Sequence, residues 1–205
     1  MSQRQHLPAD QRRERTVKAV IELCGHEEPA TLTTGRIASR MGVTQGALFR
    51  HFASKEAIWE AAVAWIAEGV MARISAAAKD VEDPLVALEA MFLTHVAFIA
   101  EHPGMPRLLM GQLQHPQPTA AARLVRELLA RYRQRLLGLL EQAQHRGQLR
   151  SGLDLDTAST QFIGCVQGLV LQSLIADDVA NIVDRAPATF DLYLHGIGAD
   201  TGRRS

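Results

Sequence analysis

The stretch TGRIASRMGVTQGALFRHF, residues 34–52, decides the fold. Two short helices crossing at a steep angle need a small residue where they touch, and Ala38 provides it. The turn between them needs a residue comfortable at positive φ, and Gly42 provides that. Ile37, Met41, Val43 and Leu48 fall at spacings that face inward. Thr44 caps the second helix and leaves its N-terminal face free. The stretch therefore reads as a helix-turn-helix.

Working outward, the pattern is helical nearly everywhere. Ala, Leu, Glu, Gln and Arg dominate, apolar residues recur at three and four, and no period-2 strand or internal repeat stands out. Asp10 is placed to cap a first helix whose inner face carries Val17, Val20, Ile21 and Cys24; Glu27, Glu28 and Pro29 end it. Thr33 or Thr34 caps the next, running to Arg40, and Thr44 caps a third to about His51. Ser54 opens a long fourth from Lys55 to about Lys79. Asp83 and Pro84 open a helix to about Glu101, where His102, Pro103 and Gly104 stop it. A short helix spans about Met105–Leu113, and Pro116 and Pro118 mark a loop. A long helix runs from about Thr119 to His145 with Gly147 as its stop. Asp154 or Asp156 caps another to about Ala176, and Pro187 opens the last, to about His195. The tail from Gly196 to Ser205 reads as loose. The expected class is all-α, about nine helices: an N-terminal three-helix domain over residues 1–55 and a helical bundle over 56–205.

Composition sets further limits. The chain has 205 residues, 47% hydrophobic and 21% charged, with 22 basic and 22 acidic residues. That is enough apolar material for a sizeable core. The zero net charge is unevenly spread. Residues 1–55 hold nine basic and five acidic side chains, whereas the remainder holds 13 and 17. A basic front and an acidic back point to different partners. The two cysteines, Cys24 and Cys165, make neither a disulfide framework nor a zinc pattern, and Cys24 beside His26 is too few ligands for a site. The N-terminus lacks an apolar segment. The greasiest stretches, around 85–100 and 162–176, are interrupted by Glu89, His95, Gln167 and Gln172. A cytoplasmic protein with no membrane partner is expected. No HExxH, GxSxG, P-loop or GxGxxG occurs, so neither an enzyme nor a cofactor or metal site is expected.

The helix-turn-helix and its surroundings resemble the tetracycline-repressor (TetR) family of bacterial transcriptional regulators. The resemblance is carried by Thr33 and Thr34, Ile37 and Ala38, Gly42-Val43-Thr44, Leu48-Phe49-Arg50-His51-Phe52 and Ser54-Lys55-Glu56. It covers roughly residues 10–60, with chain length and helix order matching behind them. Gln45, in the first turn of the second helix of the motif, is long enough to bond a base edge in the major groove, and Ala47 is suited to a thymine methyl. Gly46 allows close approach. Thr34 and Thr44, at helix N-termini, suit phosphate oxygens. His51 and Lys55 match positions the family uses on the phosphate backbone, and Arg50 adds charge. The sequence departs from the commonest pattern at Phe49, where the family usually has Tyr; the phenol's phosphate bond is lost and Phe49 reads as packing. Arg12, Arg13 and Arg15 are placed to reach flanking backbone or minor groove, or else form a solvated helix start.

The resemblance further implies a homodimer paired through the last two long helices. Gly164 and Gly168 permit close backbone approach there, and Leu169, Leu171, Gln172, Phe190, Tyr193 and Leu194 supply surface. It also implies an internal pocket for an unidentified small-molecule effector whose entry spreads the two reading heads. Candidate lining residues are Trp65, Met91, His95, Phe98, Met110, Phe162, Cys165 and Val166, which suit a mostly apolar molecule with one or two polar handles. The reading that follows is a ligand-released repressor bound as a dimer to a pseudo-palindromic double-stranded operator. The alternative is a DNA-binding architectural or cell-division factor of the same fold without a small effector.

Overall fold

The computed structural model describes residues 9–114, 117 and 119–199. The loop at Pro116 and Pro118, and the tail beyond Ala199, lie outside the described residues. The chain runs through α1 (Ala9–Cys24), α2 (Thr34–Arg40), α3 (Gln45–Phe49), α4 (Lys55–Ala77), α5 (Pro84–Glu101), α6 (Met105–Leu113), α7 (Ala120–His145), α8 (Leu155–Ile175) and α9 (Ala186–Ile197). A 3-10 helix, Val179–Arg185, precedes α9. The sequence pattern gave no sign of it, because seven residues wound three to a turn carry no amphipathic repeat long enough to recognise. No strand occurs among the described residues; a single antiparallel bridge joins Leu149 and Gly198.

Contacts divide the chain into two compact units. One is built from the residues through Glu68 and from His102–Arg126, the other from Gly69–Glu101 and from Glu127 onward.

In the first unit, α1 buries Val17, Val20, Ile21 and Cys24 against α2 and α6. Asp10 lies inside the first turn of α1 rather than capping it, where its carboxylate still complements the partial positive charge of the helix start. Burial pushes the Cys24 thiol up to about 12, so it is an inert apolar filler. The approach of α6 to α1 depends on one glycine. A Cβ at Gly104 would stand 1.8 Å from the Ile21 carbonyl oxygen, a distance no side chain tolerates.

The helix-turn-helix forms for local reasons. Thr33, extended at φ −97° and ψ 155°, accepts a hydrogen bond from the Arg36 amide at 3.1 Å and caps α2. Gly42 ends that helix at φ +67°, with its own N–H bonded to Ser39 and the Val43 N–H bonded back to Ala38 at 3.0 Å. This is a Schellman closure, which favours glycine at the left-handed position. Thr44 then caps α3 by accepting from the Ala47 amide at 3.2 Å. Ile37, Ala38, Leu48 and Phe52 are buried at the contact. Two inward assignments fail: Met41 is half-buried, and Val43 is 41% exposed because the Schellman turn points it outward.

The second unit is centred on aromatic rings. Phe92 of α5 meets Phe162 of α8 edge-to-face at 5.3 Å, and Phe162 meets Tyr193 of α9 at 5.5 Å. Such pairs each add about 1 kcal/mol beyond the area they bury. The Tyr193 hydroxyl donates to the Ala158 carbonyl at 3.1 Å, so the phenol is satisfied inside the core. Asp154 caps α8 through the Thr157 amide at 3.0 Å. Gly147, at φ +68°, ends α7. Arg150 then donates to Ile197 at 3.0 Å, and Ala199 to Gln148 at 2.8 Å. These bonds order Gly196–Ala199, which the sequence reads as the start of a loose tail. By length and composition alone α5 and α8 could cross a bilayer, but each buries an apolar face in this unit.

Candidate nucleic-acid interface

The second helix of the motif, α3, is five residues long and too short to be helical by itself. Two tertiary links and one local cap hold it. Leu48 is inserted in the core, Thr44 caps its start, and Arg13 reaches from α1 to donate to the His51 carbonyl at 2.6 Å just past its end. The Arg13 guanidinium also lies 4.6 Å over the Phe52 ring. Arg13 is thus a brace, not the free groove-seeking cation that its sequence position allows. Arg15 is exposed.

With Leu48 inward, the opposite side of α3 is presented to solvent. Gln45, Gly46, Phe49 and Arg50 are all exposed there. Nothing lies within 4 Å of where a Gly46 side chain would begin, so the backbone is bare at the centre of this face. Phe49 is 42% exposed, which corrects its reading as packing. The inward register of a single turn of helix is taken by Leu48, and the next residue is rotated about 100° away from it. Ala47 is half-buried beside Leu48.

Gln45 is not loose. Its Nε2 donates to the Thr34 hydroxyl at 2.6 Å. Thr34 is 9% exposed and is the first residue inside α2, while the capping role falls to Thr33. The hydroxyl expected to meet a phosphate is instead turned inward to hold Gln45. Thr44 is exposed with its hydroxyl engaged in the cap. His51 is half-buried, and its Nε2 is enclosed without a hydrogen-bond partner among the described residues. Lys55 sits with its ammonium 5.7 Å from the Trp59 ring centroid.

Ion pairs sort the charge of this unit. Glu14 pairs with Lys18 at 2.7 Å, Glu27 with Arg36 at 2.7 Å, and Glu22 with Arg40. All three lie largely in solvent and add little stability. They neutralise Lys18 of α1 and both arginines of α2, and Arg13 is engaged as a brace, so Arg50 and Lys55 stand out as the charges flanking α3.

The expected effector residues divide between the units. In the first, Trp65 meets the His102 ring edge-on at 5.1 Å, and Met110 lines a cleft of about 660 Å³ shared with Lys55, Trp59 and Thr119. In the second, Met91, Phe98, Phe162 and Val166 are buried core, and the Arg73 guanidinium covers the Phe98 ring at 4.5 Å. His95 keeps part of its surface accessible, and its Nδ1 lies 3.2 Å from the Tyr132 hydroxyl. Burial lowers the His95 pKa to about 4 and raises that of Tyr132, so both are neutral at pH 7. Cys165 is half-buried.

The residues expected at a dimer contact also separate. Phe190 and Tyr193 are 2% exposed and Leu169 is 9% exposed, all within the unit's own core, and they are not available to a partner. Gly164 and Gly168 have nothing within 4 Å of an added Cβ. They share a helix stripe with Leu171, Gln172 and Ile175, the last 72% exposed. On α9, Leu192 is 75% exposed and Leu194 half-buried. Ile175 and Leu192 are exposed neighbours of the expected residues that spacing alone did not single out.

Known proteins share this architecture. Residues 17–62 match the model of bacterial regulatory proteins of the tetR family, and residues 114–199 match that of the BetI-type transcriptional repressor C-terminal region. The nucleoid occlusion factor SlmA of Marinobacter nauticus is 30% identical over 142 residues, covering 69% of this chain and 71% of that protein. SlmA of Vibrio cholerae is 28% identical over 158 residues, covering 77% and 81%. Among solved structures, the regulator FadR of Bacillus subtilis in complex with stearoyl-CoA superposes with a TM-score of 0.77 at 19% identity. It covers 90% of this chain and 98% of that one. FadR of Bacillus halodurans gives 0.78 at 18% identity, covering 94% and 98%. With the capped, exposed α3 and the all-helical body behind it, these matches establish that the chain belongs to the TetR family of bacterial transcriptional regulators.

Proposed function

We propose that the protein is a cytoplasmic repressor that binds a pseudo-palindromic operator as a homodimer and is released by a small, mostly apolar effector. The observation that carries the DNA reading is the outward face of α3, bare at Gly46 and flanked by Gln45 and Arg50. Residues 1–55 hold the reading head and residues 56–205 the regulatory and pairing functions. Gln45 reads a base edge, Gly46 and Ala47 set the depth of approach, and Thr44, Arg50 and Lys55 meet phosphates. His51 reaches a phosphate by turning its enclosed ring. Thr34 serves indirectly, through its bond to Gln45. Pairing uses Gly164, Gly168, Leu171, Gln172, Ile175 and Leu192, the apolar stripe left uncovered on α8 and α9. The effector meets His95, the neutral polar group in the apolar second unit, with Cys165 nearby in sequence to Phe162 and Val166. The stearoyl-CoA bound by the Bacillus subtilis neighbour and the BetI-type repressor match support a ligand-released repressor.

A second reading has a specific observation behind it. SlmA proteins at 25–30% identity are nucleoid occlusion factors, which supports a DNA-bound cell-division role without a small effector. One experiment separates the two. Duplexes are selected from a random pool with the full-length protein, and the shifted complex is challenged with acyl-CoAs and other apolar metabolites. Release by one of them supports the repressor. A complex that none of them releases favours the second reading, and selection of no sequence at all overturns both.

A further inference from the structure

We propose that Phe49 is a base-reading residue that packs on a thymine methyl in each operator half-site. The inference rests on α3 being the recognition helix. Phe49 is one helical turn beyond Gln45 and three residues beyond Gly46, so its side chain projects on the same face as both. That face is turned about 100° around the helix from Leu48, which is 2% exposed. Phe49 is therefore an aromatic ring left 42% exposed beside the bare backbone at Gly46.

The chemistry of the ring selects its target. Phenylalanine has no donor, so it cannot bond a phosphate oxygen, and pressing it against one would desolvate charge without compensation. The major groove offers one apolar group, the C5-methyl of thymine. Gly46 lets the helix sit deep enough for a residue three positions later to touch a base. Arg50, the next residue along and also exposed, holds the phosphate side of the same face. Ala47, the smaller residue that sequence spacing favours for this contact, is half-buried and offers a single methyl, against a 42% exposed ring at Phe49.

The test uses the full-length wild type, Phe49→Ala and Phe49→Tyr on a duplex selected from a random-sequence pool by the wild type. Each thymine is replaced in turn by deoxyuridine, which removes only the methyl. In wild type, one thymine per half-site should weaken binding about fourfold when its methyl is lost, the worth of one buried methyl group. Phe49→Ala should be insensitive to that replacement and accept any pyrimidine there. Because Phe49 is exposed, its thermal midpoint should stay within about 2 °C of wild type. The proposal is overturned if no thymine is sensitive in wild type, or if the same sensitivity persists in Phe49→Ala. It is also overturned if Phe49→Tyr tightens binding uniformly with no methyl dependence, which would put the ring at a phosphate. Selection of no duplex would instead defeat the recognition-helix reading, and this inference with it.

Discussion

Among the surfaces that leave large apolar side chains in solvent, those of α3 and of α8 with α9 differ in their surroundings. On α3, Phe49 shares its face with Gln45, Gly46 and Arg50. On α8, the exposed stripe of Gly164, Gly168, Leu171, Gln172 and Ile175 carries no charge, and Leu192 of α9 is the most exposed large apolar residue described. An apolar residue amid donors and cations suits a polyanion with occasional methyl groups. An uncharged aliphatic stripe with bare glycines suits a second copy of itself. Salt should weaken the first contact and leave the second nearly unchanged.

The largest expected effect breaks the second surface. Burying an Ile or Leu side chain is worth about 2 kcal/mol, and two-fold symmetry counts each substitution twice. Ile175→Glu or Leu192→Glu should therefore weaken dimerisation close to a thousandfold, read by sedimentation across concentration. Each protomer should keep its helical spectrum, and half-site spacing should lose its influence on binding. A dimer that survives both substitutions would remove the stripe from the pairing role.

A contrast between glycines is next in size. Gly104→Ala forces a Cβ against the Ile21 carbonyl and should cost about 3 kcal/mol of protomer stability, seen in the urea midpoint. Gly168→Ala meets nothing within the protomer and, with alanine favoured over glycine inside a helix by roughly 0.5–1 kcal/mol, should raise protomer stability slightly while weakening the dimer.

Acid should act on the second unit. The folded-state pKa of His95 lies near 4, below its ordinary 6.5, so the unfolded chain binds the proton more readily. Stability is full above about pH 6.5 and falls as pH drops toward 4, by about 2 kcal/mol at pH 5. His95→Asn should flatten that dependence, measured as urea midpoints at pH 5 and 7.

The smallest effect sharpens the first surface. Arg50→Ala should reduce the slope of log K against log salt by about one per half-site, with little change in sequence preference. An unchanged slope would assign Arg50 to solvent.

What was legible in the sequence was what local chemistry decides. Gly42 and Thr44 act within four residues of themselves, so the turn and the cap could be placed from spacing alone. Gly147 is legible for the same reason, while the α8 cap is narrowed only to Asp154 or Asp156 until the backbone selects Asp154. Burial is not local, and spacing alone does not decide it. Phe190 and Tyr193 are apolar on the right helix, but their pattern cannot say whether the core they fill is their own or a partner's. Phe49 follows Leu48 directly, and only the tertiary contact decides which of the two turns inward. Thr33 and Thr34 are chemically equivalent caps until the backbone selects one. The loser, Thr34, then proved to hold Gln45.

That bond reaches further than its 2.6 Å. A free glutamine side chain gives up on the order of 1.5–2 kcal/mol of rotamer entropy when a partner fixes it. In this head much of that loss is incurred when the chain folds, before any duplex arrives. In the base-reading role proposed for Gln45, the amide would bring its carbonyl and its second N–H to a base edge already oriented. On that proposal, the Thr34 hydroxyl would help set how sharply one base is distinguished from another.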